Sequence, residues 1–96
     1  MTELPRKFRI VITKEDIAKG ERENPYSCAV ALAIKRRFPG YRVDVDGRDV
    51  ERWRVEIRMG RKSRFYAASE RMEVFIERFD RGQPVKPSTF VVTLAT

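Results

Sequence analysis

The sequence predicts an α+β domain: an antiparallel sheet of about five strands with helices packed on one face, in the order β-α-α-β-β-β-α-β. Three observations carry this reading. Several short segments alternate apolar and polar residues with the period of a half-buried strand. Cys28 to Ile34 is unbroken in apolar residues and, with small side chains throughout, reads as a buried helix. Met72, Phe75, Ile76 and Phe79 recur at i, i+3, i+4 and i+7, the stripe of an amphipathic helix. The 96 residues form one domain by size, residues 1–96, with room for one modest core.

In chain order, Phe8, Ile10 and Ile12 alternate with Arg9 and Val11 to make the first strand, Phe8 to Thr13. Thr13 caps the short helix that follows, with Asp16 at capping-box spacing, and Gly20 stops it. Asn24 as N-cap and Pro25 at the first helical position predict a second helix from Pro25 to Phe38. Its last turn holds Lys35, Arg36 and Arg37, where cations favour the negative end of the helix dipole. After Pro39 and Gly40 come two strands with Tyr41, Val43, Val45 and then Trp53, Val55, Ile57, Met59 pointing inward. Gly60 to Ser63 is turn chemistry, which folds the segment Arg64 to Ser69 back as a hairpin partner. Ser69 caps the amphipathic helix, Gly82 ends it, and a stiff Gln83 to Pro87 connector leads to a strand with Phe90, Val92 and Leu94 on one face.

Composition narrows the chemistry. The single cysteine forbids an internal disulfide, and the absence of histidine removes His-containing zinc sets and every Ser-His-Asp or Cys-His arrangement. No cofactor, no metal and no enzymatic activity are expected. Asp44, Asp46 and Asp49 around Gly47 lack the full spacing of a calcium loop and read as turn chemistry. Cys28, with apolar neighbours, reads as a structural thiol. The longest apolar run falls far short of the ~20 residues that span a bilayer, and the first residues lack a signal-peptide pattern. The expectation is a cytoplasmic protein without a membrane partner.

Charge is the strongest global signal. With 21 Lys and Arg against 14 Asp and Glu, the chain carries +7 and has a pI near 10.1, a balance suited to nucleic acid or an acidic protein surface. Arg52, Arg54, Arg58, Arg61, Lys62 and Arg64 lie within thirteen residues that hold Glu56 as their only acid, so +5 of the charge is local. Strand alternation is expected to put Arg52, Arg54, Arg58 and Arg64 with Tyr66 on one exposed sheet surface, and Arg61 and Lys62 at the hairpin tip. Such a surface tracks a phosphate backbone and stacks a base. Lys35, Arg36 and Arg37 are a secondary binding candidate. The competing reading is that Asp44 and Asp46 on the neighbouring strand absorb part of the charge in cross-strand pairs.

Two clusters, DIAKGERENPYSCAVALAI from Asp16 and FIERFDRGQPVKPSTF from Phe75, resemble small hypothetical proteins of tailed-phage and prophage genomes. The shared features are an Ile-led short helix reaching a Gly, a Cys opening an Ala-rich helix, and a closing FI..FD.G..V.P..F block. Those proteins carry a Pro directly after the Cys, where this chain has Ala29. The resemblance implies a phage or prophage origin and a bacterial host cytosol, and it transfers no activity and no functional residue. Three binding roles follow as expectations. They are a nucleic-acid-binding accessory protein, an inhibitor of a host enzyme or defence complex acting by protein contact, and a structural or assembly protein acting as a homodimer through sheet edges or Val11 and Val91.

Overall fold

The alternating segments become five strands, and the structure, a computed structural model, describes residues 4–46 and 53–95. Arg52, and Asp49 with its loop neighbours, lie outside the described residues. The elements are β1 (Lys7–Ile12), α1 (Lys14–Lys19), α2 (Ala29–Arg37), β2 (Arg42–Asp46), β3 (Arg54–Met59), β4 (Lys62–Ala67), α3 (Glu70–Asp80) and β5 (Ser88–Leu94). This is the predicted α+β order. All pairings are antiparallel, and the strands lie in the spatial order β1-β5-β4-β3-β2.

That order explains the shape. The chain leaves β1 at one margin of the sheet and must reach β2 at the other, and α2 makes the crossing. It packs against both edge strands at once, so the sheet curls around it. The alternation buries Phe8, Ile10 and Ile12 of β1, Val43 and Val45 of β2, Val55 and Ile57 of β3, and Phe90 and Val92 of β5 against Ala29 to Ala31, Ala33 and Ile34 of α2. Each fully buried Val or Ile contributes roughly 1.5–3 kcal/mol. Alanines on α2 permit the close approach. Met72, Phe75, Ile76 and Phe79 of α3 complete the core with their predicted stripe.

Both edges are engaged by groups near α2. On β2 the Val45 N–H donates to the Pro25 carbonyl at 2.8 Å, and on β1 the Val11 carbonyl accepts from Arg36 Nη2 at 2.7 Å. Unpaired edge groups otherwise invite another chain to add a strand.

The helix signals held at α1 and α3. Thr13 and Asp16 form a full capping box, Gly20 is the C-cap, and Ser69 Oγ accepts from Met72 N–H at 3.2 Å. Gly20 serves by size: a Cβ there would stand 2.7 Å from Ala29 N and 2.8 Å from Asp16 O. The second helix differs from its prediction, beginning at Ala29 instead of Pro25. Asn24 Oδ1 accepts from Tyr26 N–H at 3.0 Å in an Asx turn, the Pro25 carbonyl is taken by Val45, and the Tyr26 carbonyl is taken by Lys35 Nζ. Cys28 N–H donates to the Asn24 carbonyl at 2.9 Å in a single helical turn, but the next two carbonyls, which would accept from Ala29 and Val30, are engaged elsewhere, so the ladder does not run on from that turn into α2.

Candidate nucleic-acid interface

The β3–β4 hairpin shows how a turn sets a surface. Met59 pairs with Lys62, which leaves Gly60 and Arg61 as a two-residue loop, and Gly60 adopts a φ of 61° at its first position. That is the backbone a Gly-X hairpin turn requires. The remaining register follows: Arg58 opposite Ser63, Ile57 opposite Arg64, Glu56 opposite Phe65, Val55 opposite Tyr66 and Arg54 opposite Ala67.

This register corrects the predicted surface. The expected surface grouped Tyr66 with the exposed cations, but the register puts it opposite Val55 on the core side, and a four-residue loop would have set it opposite Ile57 on that same side. Tyr66 is 0% exposed, stands edge-on to Phe8 at 4.9 Å, and donates its hydroxyl to the Pro5 carbonyl. Burial pushes its phenol pKa up, against the opposing pull of Arg64. The aromatic on the uncovered face is Phe65. Its ring is half-buried and carries the Arg54 guanidinium 4.8 Å from its centroid. The sequence signal for Phe65 is the even length of the loop, which keeps it on the face of Arg54, Glu56 and Arg58.

The cations lie on both faces and at the end of the hairpin. Arg54 and Arg58 stand exposed on the open face, and Arg58 Nε donates to the Gly60 carbonyl at 2.9 Å, which folds its side chain toward the hairpin end. Arg61 and Lys62 occupy that end. Arg64 is exposed but shares the face of Ile57 and Tyr66, so it flanks the hairpin from the opposite side. The structure therefore places Arg54 and Arg58 on the face of Phe65, with Glu56 directly across from the ring, puts Arg61 in the loop, and sets Lys62 and Arg64 on the opposite face, with Tyr66 removed to the core.

On the open face β2 sets Arg42 opposite Arg58, Asp44 opposite Glu56 and Asp46 opposite Arg54. The charges thus lie in rows across the strands, with one cross-strand pair of opposite sign. Glu56 accepts from Ser63 Oγ at 2.8 Å. At the other end of one row, Lys7 of β1 lies in line with Thr93, Ala67 and Arg54 through successive pairings. Arg9, next on that face, extends the positive margin, while Val11 and Val91 remain exposed at 51% and 43%.

The helix triplet has intramolecular work. Lys35 Nζ donates to the Tyr26 carbonyl, Arg36 grips Asp16 at 2.7 and 3.0 Å, and Arg37 lies over the rings of Phe8 and Phe38 at 5.8 and 5.4 Å. Burial pushes the Asp16 carboxyl up, but hydrogen bonds from Arg36 and Thr13 outweigh it and hold the pKa below the ordinary value.

A cleft of about 310 Å³ between α2 and α3 is lined in part by Cys28, Val45, Trp53 and Asp80. Burial pushes the Cys28 thiol pKa up, so it stays protonated and weakly nucleophilic. Burial also raises Asp80, which accepts from Glu23 N–H at 2.9 Å. Among the described residues no group of three or more Cys, Asp and Glu side chains is placed to hold a metal ion, and no helix is long and apolar enough to cross a membrane. No family model, curated protein or solved structure matches this chain.

Proposed function

We propose that this protein is a small non-enzymatic accessory protein that binds single-stranded nucleic acid on the open face and end of the β3–β4 hairpin. The observation that carries the reading is the Arg54 guanidinium over the half-buried ring of Phe65, with Arg58 on the same face and Arg61 and Lys62 at the hairpin end. An aromatic face with an attached cation stacks a base while neighbouring cations follow phosphates, which suits unpaired strands whose bases can turn inward. Cytoplasmic action, and the phage origin implied by the resemblance, belong to the same proposal.

The test is a salt titration of purified protein against oligo(dT), an RNA oligomer and a duplex, read by fluorescence anisotropy. With about four to five phosphates contacted, the log-log slope for single strands is expected near −3. Replacing Arg54 and Arg58 together by Ala should reduce it by roughly 1.4. An unchanged slope and affinity would place the contact elsewhere. Binding to no nucleic acid, with a protein partner retained from a nuclease-treated host lysate, would favour the inhibitor role instead. A stable dimer at low micromolar concentration without nucleic-acid affinity would favour the assembly role.

A further inference from the structure

A second surface lies on the helix-bearing side, away from the open sheet face. Between α3 and the connector that leads to β5 runs a groove of about 580 Å³. Its helical wall begins with Glu70 at the N-terminal end and continues as the stripe Arg71, Val74 and Arg78, set at i, i+3 and i+7, so these cations stand about 10 Å apart along the helix with the valine between them, and with Lys86 three cations face one carboxylate. Val74 is 48% exposed, an unusual position for a large apolar side chain on an otherwise charged helix face. The opposite wall is Val85 and Lys86, and the floor is closed by the buried rings of Phe75 and Phe90, edge-on at 5.6 Å. Arg71 is held at the groove by lying 5.8 Å from the Phe90 ring centroid.

We propose that this groove docks an acidic protein segment bearing a central bulky apolar side chain. An apolar floor between two cationic walls removes a hydrophobic anchor from water and leaves carboxylates beside guanidinium and ammonium groups. The spacing matches a chain with acidic residues on either side of one Leu, Ile or Phe. Nucleic acid fits poorly: Phe75 and Phe90 are buried, so the groove offers aliphatic surface and no open ring on which a base stacks. The proposal is independent of the hairpin reading, because the two surfaces share no residue.

The probe is a fluorescein-labelled peptide with Glu and Asp on both sides of a single Leu, titrated into the intact protein and mapped by amide chemical shifts. Micromolar binding is expected, with shifts confined to residues 71–78 and 84–90. Val74→Asp and Arg78→Glu should each weaken it at least about tenfold, as truncating a central anchor or reversing a contacted charge does. Both side chains are exposed, so unchanged melting curves will show that the variants fold. The proposal is overturned if the peptide does not bind, if changing its Leu to Ser leaves affinity intact, or if shifts map to the hairpin. Displacement by oligo(dT) from these same residues would overturn it as well, assigning the groove to nucleic acid.

Discussion

Exchanging Phe65 and Tyr66 in turn for Ala separates interface from core at adjacent positions. Tyr66 is fully buried, packs on Phe8 and satisfies the Pro5 carbonyl. Truncating such an aromatic costs about 3–5 kcal/mol, a large part of the roughly 5–15 kcal/mol that holds a domain together. At about 4–8 °C per kcal/mol for this size, Tyr66→Ala should lower the melting temperature by more than about 10 °C. Phe65 is half-exposed, so Phe65→Ala loses about 1 kcal/mol of burial and about 0.5–1 kcal/mol of contact with Arg54. Its effect should fall on binding. Stacking is worth about 1–3 kcal/mol per base, so affinity for oligo(dT) should drop roughly five- to 150-fold. Thermal melts and anisotropy titrations at one fixed salt concentration read both quantities. The reasoning is refuted if Phe65→Ala binds like the parent while the conservative Tyr66→Phe loses affinity.

Gly20→Ala should destabilise by about 1–3 kcal/mol through overpacking alone, since its φ of −66° suits any residue while the added methyl meets Ala29, Asp16 and Phe79 within 2.9 Å. A parent-like melting temperature would mean that the α1–α2 junction relaxes freely. Asp16, with a folded pKa below its ordinary value, contributes stability that is complete above pH 3.8 and is lost as pH falls through the lowered folded value. Denaturation midpoints of the parent and Asp16→Asn should therefore converge in acid, and a constant gap would contradict the pairing with Arg36. Cys28, kept protonated by burial, should react slowly with a thiol reagent at neutral pH and at once in denaturant. Rapid stoichiometric labelling of the folded protein would overturn that.

Local chemistry was readable from the sequence where it acts over a few residues. Thr13 with Asp16, Gly20, Ser69 and the Met72 to Phe79 stripe each depend on neighbours within two turns, and each did what its spacing predicts. Asn24 and Pro25 misled because a distant strand, through Val45 N–H, takes the carbonyl that would have continued the helix. Tyr66 misled for a smaller reason. A loop of two residues or of four, Gly60 to Ser63, pairs it with an inward-facing residue, Val55 or Ile57, so its burial was legible, and grouping it with the neighbouring cations overlooks that parity. The insertion of β5 between β1 and β4 was not legible, since strand order is settled by long-range packing. The α3 groove was equally hidden, because it depends on where the connector leaves Asp80 and returns to Ser88.

The helix that spans both margins of the sheet also bears on motion. In a flat sheet an edge strand can fray by itself, exposing its amides while the centre stays closed. Here β1 and β2 are the most distant strands in the sheet, yet both rest on α2, and each is fastened near it through Arg36 or Pro25. Releasing either margin strips apolar surface from the helix that supports the other. Hydrogen exchange should therefore find the inward amides of both edge strands opening together, at a rate close to that of global unfolding.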